Sequence, residues 1–499
     1  MLREVQTKQG VNQMKLSSLI EGLNVTRISG NTEIEISDIC YDSRKATKGS
    51  VFVCIVGYET DGHKYIDKAL MSGVAALIVQ EGSELPRIPD GVTVVYSDNT
   101  RKMLAGMAAS FFGHPEKNLK IIGVTGTNGK TTVTTLIKSI LEFEEKSVAL
   151  IGTNANIING RVLPTERTTP ESYELYELFA EMVKEGVEYV IMEVSSHSLY
   201  LDRVYGIEFL VGAFTNLTQD HLDFHKTMEN YKEAKGMLFD VSESSCINVD
   251  DAAGMEYVQS CKCPVITYGV DNDAGMRASD IKISARGVIF NVSYEGKSYK
   301  VRLGIPGKFS VYNALTALSC VVTAGISIER AIEALTFAKG VMGRCETVYT
   351  KTDYTVIIDY AHTPDGLENI ISTVREFCEG RVITLFGCGG DRDRTKRPIM
   401  GRVAATLSDF CVVTSDNPRT ENPEAIIEDI MAGIKEADCG YAVIENRREA
   451  IKYALSMAER GDCIILAGKG HETYQIIGKE KNHFDEREVI EECLKELNS

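Results

Sequence analysis

No run of apolar residues in this 499-residue chain approaches the ~18 that a membrane-spanning helix needs, and the N-terminus lacks a charged-then-apolar signal pattern. Positive charge is also in short supply: 54 Lys and Arg stand against 71 Asp and Glu, a net charge of −17. That balance argues against nucleic acid or an anionic membrane as partner, while leaving room for local basic pockets that bind phosphorylated substrates. The 13 cysteines, an odd number, form no CxxC pair, and only Cys261 and Cys263 are closely spaced. Such scatter excludes a disulfide framework and a zinc ribbon and fits reduced thiols. The expectation is a soluble cytoplasmic protein, with a monomer as the default assembly.

The chain is too long for one ordinary core, and about three domains are expected. Residues 1–13 are polar and without periodicity, so a disordered extension or an upstream start is expected before an ordered pattern begins at Met14.

What the chain does have is a stretch around which the rest can be ordered, IIGVTGTNGKTT at 121–132. An apolar strand runs into a glycine-bounded loop and then a helix, whose stripe is Val133, Leu136, Ile137, Ile140 and Leu141. Gly126 and Gly129 let backbone N–H groups turn toward an anion, and the helix dipole adds to the attraction. Lys130 supplies a mobile charge for β/γ-phosphate oxygens, and the Thr131 hydroxyl is placed to ligate Mg²⁺. The general P-loop pattern expects Gly where Val124 stands, so this is a shorter GxxGKT form.

Before that loop, 34–95 reads as a small α/β module: strands at 34–40, 50–56, 75–79 and 93–96 and a helix near 64–72. Its dense polar cluster is Asp42-Ser43-Arg44, for which a capped turn is the plain alternative. After the loop, strands at 148–151, 189–194 and 211–215 with intervening helices predict a parallel, doubly wound sheet, whose ligands gather at the strands' carboxyl ends. Thr168-Thr169-Pro170 reads as a helix N-cap. Glu193 ends the apolar strand EYVIMEV, where a carboxylate needs a cation, and a Mg²⁺ on the loop's phosphates would serve. In NLTQDHLDFH, His221 and His225 lie four apart, but Leu222 stands where a zinc-protease HExxH needs Glu, so two solvated histidines are the plain reading. Lys235 alone reads as a surface lysine.

Further on, alternation over 281–301 predicts a β-hairpin, Asn313 lies in an alanine-rich helix, and 340–346 makes a hinge. The last part again alternates strand and helix, with strands at 355–359, 382–386, 410–414, 442–444 and 463–466. GCGGDRDRTKRP resembles an NAD fingerprint only weakly, since it is not in a first βα unit. DYAHTPD, DNPR and GKGHE all follow apolar strands and are expected on one rim of the sheet. TKTD at 350–353 imitates a guanine-specificity motif, which chance explains better.

Taken together, GTNGKTT, EVSSH, DHLDFH, YKEAK, DYAHTPD, GGDRD, DNPR and GKGHE, in this order, closely resemble the Mur ligases, over nearly the whole chain after Met14. The resemblance is to those that add the third residue of the peptidoglycan stem. It implies α/β architecture in three domains: an N-terminal UDP-binding module (1–98), a central P-loop domain with a doubly wound parallel sheet (99–343) and a C-terminal Rossmann-like domain (344–499) that brings the amino acid. It implies that Ser43, Thr168, Thr169, Ser195 and Arg203 hold the UDP-MurNAc-dipeptide; Leu201 replaces a frequent Gln two positions before that Arg. ATP would be bound by Gly126, Thr127, Asn128, Gly129, Lys130, Thr131 and Thr132, with Asn313, Arg344 and Asp359 around the nucleotide. Thr131 and Glu193 would hold one Mg²⁺ and His221 a second, and Lys235 lies where the family carries a carbamylated lysine. Lys130, Glu193, His221 and Lys235 are thus the implied catalytic set. Arg392, Asp416, Asn417, Pro418, Arg419, Gly468 and Glu472 would receive the amino acid. DNPR resembles the signature for meso-diaminopimelate over L-lysine, and Arg419 offers a bidentate fork to the carboxylate that distinguishes them. The implied reaction is ATP-dependent amide synthesis through an acyl phosphate. Its rivals are a sibling ligase adding lysine or, in the folate branch, glutamate, and a P-loop NTPase switch.

Overall fold

The computed structural model describes residues 13–57, 60–165, 167–338 and 340–497, so the extension expected at 1–13 lies outside the described residues except for Gln13. It divides into two compact units, one comprising residues up to 130 with 144–247 and 251–265, the other 131–143, 248–250 and 266 onward.

The first unit contains two sheets. The N-terminal one has the strand order Arg27–Ser29, Thr93–Ser97, Ala76–Gln80, Val51–Val53, Ile39–Cys40, parallel except for the first. Val51, Phe52, Val53, Leu77 and Ile78 are fully buried, and apolar clusters cover both faces. The strand expected at 34–40 is broken into Glu35–Ile36 and Ile39–Cys40, because Asp38 turns its carboxylate onto Ile39 N and Tyr173 Oη. The helix expected near 64–72 begins as a 3₁₀ turn capped by Asp61 and becomes α-helical over Ile66–Met71.

The second sheet of this unit places Val148–Ile151, Tyr189–Glu193, Lys120–Thr125, Val211–Phe214 and Ser245–Asn248 side by side, all parallel. These runs are rich in Val and Ile and buried on both faces, as parallel strands must be. An unpredicted hairpin, Asn156–Ile158 with Arg161–Leu163, extends the edge antiparallel to Val148–Ile151.

In the second unit, the single hairpin expected over 281–301 is instead a three-stranded antiparallel run, Met276–Ser284, Gly287–Tyr294 and Lys297–Leu303. The C-terminal sheet has the order Glu346–Val348, Thr355–Asp359, Cys463–Ala467, Val382–Phe386, Phe410–Val413, Gly440–Val443, parallel apart from the first. Two apolar clusters sandwich it. DYAHTPD, GCGG, DNPR and GKGHE therefore all leave carboxyl ends of neighbouring strands.

Candidate active site

In the first unit the loop after Lys120–Thr125 has Gly126 at φ +146° and Gly129 at +87°, which only glycine adopts readily. Val124 is buried within the strand, paired with Glu193 on one side and Ala213 on the other, so the missing glycine reflects a strand that runs further before a shorter loop. The loop is held from the strand end at 215–218. Thr127 N donates to Asn216 O at 2.8 Å, Asn128 N to Asn216 Oδ1 at 2.9 Å, and Thr215 Oγ1 to Asn128 O at 2.6 Å. A Cβ on Gly126 would lie 1.9 Å from Thr215 Oγ1. Thr215 ends a predicted strand and Asn216 opens NLTQDHLDFH, but nothing local marks either as a support for this loop.

Two lysines converge on this loop. Lys130 Nζ donates to Gly126 O and Thr127 O, both at 2.9 Å, and Lys235 Nζ donates to Gly126 O at 2.8 Å. Lys235 is no surface lysine: it is 1% exposed, beside the Tyr231 ring. Burial, then the charge of Lys130, pushes its pKa well below that of an ordinary lysine.

His221 sits with positive φ, and its ring packs against His197 (4.8 Å between centroids) and Tyr231 (6.1 Å). His225 is buried, with Nε2 2.9 Å from Ser196 Oγ, so of the two histidines expected to be solvated only His221 is exposed. Burial first, then the charges of neighbouring histidines, lowers His197 to about 4; burial, His221 and Lys235 lower His225 to about 4. Such imidazoles stay neutral at physiological pH.

Glu193 is 1% exposed, and its carboxylate accepts from Thr153 N and Thr153 Oγ1, both at 3.0 Å. It joins no salt bridge among the described residues. Thr153 Oγ1 also lies 3.0 Å from Thr168 Oγ1, and Thr169 Oγ1 donates to Glu193 O at 2.8 Å. Ser195 N donates to Thr169 Oγ1, and Arg203 Nη1 to Thr169 O. Thr168, Thr169, Ser195 and Arg203 are thus one contiguous cluster at the end of the Glu193 strand. Thr168-Thr169 is not the helix cap expected: the helix is Ser172–Lys184, its N-cap is Glu171, and Thr169 serves the neighbouring strand instead. Glu171 forms ion pairs with Arg203 and Arg101. In the N-terminal module Ser43 is buried, while Asp42 takes the Arg44 side chain and main chain in a capped turn.

In the second unit, Thr131 and buried Thr132 open the helix Lys130–Phe143. Asn313 is buried with no hydrogen-bond partner for Nδ2 among the described residues, a donor in want of an acceptor. Asp359 accepts from Cys345 N at 2.7 Å and Ala361 N at 2.8 Å, and Arg344 stacks over Tyr360. Burial raises the Asp359 pKa against the pull of those donors and of Arg344.

The Asp416–Arg419 turn is fitted into glycines from elsewhere. A Cβ on Gly387 would lie 2.3 Å from Thr414 O, on Gly389 2.9 Å from Arg419 Nη1, on Gly390 1.9 Å from Pro418 O, and on Gly468 2.7 Å from Asp416 Oδ2. The GCGG glycines make room for this turn, which accounts for a pattern that only weakly resembled a dinucleotide fingerprint. Arg419 has φ +51° and donates through Nη1 to Gly390 O at 2.9 Å. Asn417 Nδ2 donates to Glu472 Oε2 at 2.9 Å, while Arg392 is exposed nearby on the 387–392 loop. TKTD forms a turn closed by Thr350 and Thr352 hydroxyls.

Three family profiles cover the chain in succession: Mur ligase family, catalytic domain, over 35–127; Mur ligase middle domain over 124–321; and Mur ligase, glutamate ligase domain, over 343–470. A Clostridium acetobutylicum protein named UDP-N-acetylmuramoyl-L-alanyl-D-glutamate–2,6-diaminopimelate ligase 1 is 50% identical over 97% of this chain and 100% of its own length. This chain belongs to the Mur ligase family. Another Mur ligase with the diaminopimelate ligase name, from Caldanaerobacter subterraneus subsp. tengcongensis, is 50% identical over 97% of this chain and 99% of its own. Among solved Mur ligases, a UDP-N-acetylmuramoyl-L-alanyl-D-glutamate–2,6-diaminopimelate ligase superposes with TM-score 0.72 at 29% identity, covering 98% of this chain and 100% of that one. A Thermotoga maritima MurF ligase solved with ADP shares the fold at TM-score 0.60 and 19% identity, covering 92% and 98%.

Among the described residues no three His, Cys, Asp or Glu side chains form a ready-made metal cage. A buried carboxylate at Glu193, in no ion pair among the described residues, has the chemistry to hold a hard cation such as Mg²⁺.

Proposed function

We propose that this chain joins meso-2,6-diaminopimelate to UDP-MurNAc-L-Ala-D-Glu at the expense of ATP, in peptidoglycan precursor synthesis. The 50% identity to ligases of that name supports the reaction class. The observation that carries the choice of amino acid is Arg419, half-buried in a turn shaped by four foreign glycines and facing no carboxylate of its own among the ion pairs of the described residues. A guanidinium so held suits the distal carboxylate that lysine lacks, and leaving it unpaired would penalise lysine by roughly 10⁴.

In the mechanism, the D-Glu γ-carboxylate takes the γ-phosphoryl group of ATP, giving an acyl phosphate and ADP. The diaminopimelate amine then forms the C–N bond, sheds a proton, and inorganic phosphate leaves. Gly126 to Thr132 cradle the ATP phosphates, and Lys130 neutralises the transferring group, so catalysis is mostly positioning and electrostatics. Asn313, Arg344 and Asp359 hold the rest of the nucleotide. Ser43 contacts the uridine part, and Thr168, Thr169, Ser195 and Arg203 hold the dipeptide. Thr131 and Glu193 would hold one Mg²⁺, and His221 and Lys235 a second; such ions would supply charge neutralisation at the phosphates. Arg392, Asp416, Asn417, Pro418, Arg419, Gly468 and Glu472 receive diaminopimelate.

Lys235 enters as a carbamate. A buried lysine that shares Gly126 O with Lys130 favours its neutral amine, which is the form that attacks CO₂ and loses a proton to become an anion. Mass analysis of the intact protein should find the added carbamate; an unmodified Lys235 in the active protein removes it from the metal site. The proposal includes three domains, 1–98, 99–343 and 344–499, and a cytoplasmic monomer.

The deciding experiment is phosphate release from ATP. Release that does not require both UDP-MurNAc-dipeptide and diaminopimelate sinks the ligase reading, and equal turnover with lysine sinks the Arg419 assignment alone.

A further inference from the structure

Lys469, the second residue of GKGHE, is completely buried. Its Nζ lies 3.3 Å from Asn417 Oδ1 and 3.4 Å from Glu472 Oε2, with the Tyr474 and Phe484 rings at 5.8 and 6.0 Å. Asn417 Oδ1 also accepts from Ile476 N at 2.9 Å, and its Nδ2 donates to the same Glu472 Oε2 at 2.9 Å. This arrangement admits one orientation of the amide. Flipped, Asn417 would turn its NH₂ toward two donors, the Ile476 N–H and the Lys469 ammonium, and an oxygen toward a carboxylate. Lys469 therefore fixes Asn417, and together they fix the Glu472 carboxylate through a shared oxygen.

The hairpin that follows, Tyr474–Ile477 with Glu480–His483, lies along the Asp416–Arg419 turn like an added strand. Gln475 Nε2 donates to Asp416 O at 2.6 Å, Arg419 N to Ile476 O at 3.1 Å, and Gly478 N to Arg419 O at 2.7 Å. The two backbone bonds to Arg419 hold a non-glycine residue at φ +51°, a conformation that needs such support.

We propose that Lys469 and Gln475 are positioning residues for amino-acid recognition: Lys469 locks Asn417 and Glu472, and Gln475 pins the turn that aims Arg419, so that the pair sets selectivity for a diamino dicarboxylic acid. The inference rests on the reading that this turn receives diaminopimelate.

The test is steady-state kinetics on the full-length protein with ATP, UDP-MurNAc-dipeptide and either diaminopimelate or lysine. Lys469→Met should raise KM for diaminopimelate at least about tenfold, leave KM for ATP within about twofold, and lower the diaminopimelate-to-lysine ratio of kcat/KM about tenfold. Gln475→Ala, on a partly exposed hairpin, should shift the same quantities about threefold with little change in melting temperature. Unshifted KM for diaminopimelate in Gln475→Ala, or a parallel loss for all substrates in both variants, overturns the proposal. Wild-type turnover that ignores diaminopimelate sinks the underlying reading and this inference with it, whereas wild-type dependence with unshifted variants sinks this inference alone.

Discussion

The turn at 126–130 and the turn at 416–419 both leave the carboxyl end of a buried parallel strand, but they obtain their shape from different places. In the first, the glycines with positive φ, Gly126 and Gly129, belong to the turn itself, and so does Lys130, whose ammonium reaches back to two of its carbonyls. In the second, the residue with positive φ is Arg419, and the glycines that make room for it stand at 387, 389, 390 and 468. The first turn can be recognised in a few consecutive letters because its glycines and its lysine are adjacent, although Thr215 and Asn216 also brace it from the neighbouring strand end. The turn that carries Arg419 is fixed from several directions, and its supports are spread over about eighty residues of chain.

The strongest way to sharpen that contrast is Lys130→Ala. It removes charge from the first turn, and kcat should fall about 10³-fold with any amino acid, as for loss of a preorganised electrostatic group. ADP formation measures it, and a drop confined to diaminopimelate would break the comparison.

Gly390→Ala attacks the borrowed geometry. Its Cβ would meet the Pro418 carbonyl at 1.9 Å, a backbone atom that moves only if the turn moves. kcat/KM for diaminopimelate should fall about 100-fold, mostly through KM, with KM for ATP unchanged.

Acid should also separate the regions. Glu421 sits two residues past Arg419 and accepts from fully buried Arg397 at 2.8 and 3.0 Å and from Asp391 N. The Arg397 hydrogen bonds outweigh the opposing effect of burial and hold its pKa below the ordinary 4.5. A carboxyl depressed in the folded state contributes stability that is present above the unfolded value and lost as pH falls through the folded one. Unfolding free energy should therefore decline below about pH 4.5. Glu421→Gln should flatten that decline and cost about 1 to 2 kcal/mol at neutral pH, discounted for partial exposure and for the Asp429 partner that Arg397 retains.

The same contrast explains what could be read from the chain. The strands Thr355–Asp359 and Val382–Phe386 are continuous apolar runs between polar loops, and periodicity alone locates them. Periodicity does not reveal the hairpin Tyr474–His483, because its strands are four residues each, the second wholly polar, and it pairs with a distant turn. Lys235 and Lys469 show the same limit. Nothing local marks either as buried, since what buries them is the return of chain from elsewhere, and for Lys235 only family resemblance singled it out. Thr153 had no signal beyond following a buried strand.

Thr153 gives the finest test, because it brings support from a further strand end to Glu193, beside the first turn. Its hydroxyl stands between Glu193 Oε2 and Thr168 Oγ1, 3.0 Å from each, while its N–H independently holds Glu193 Oε1. Thr153→Val keeps the N–H and the shape and removes only the hydroxyl, so Glu193 stays in place with one donor fewer. The expected loss is about 1 kcal/mol, seen as an approximately fivefold rise in the Mg²⁺ concentration for half-maximal activity, with KM for diaminopimelate unmoved. A shift in KM for the UDP-MurNAc-dipeptide instead would mean that the hydroxyl acts mainly through Thr168. Glu193 would then keep its place without the hydroxyl, and the boundary between the two kinds of site would run between Glu193 and Thr168.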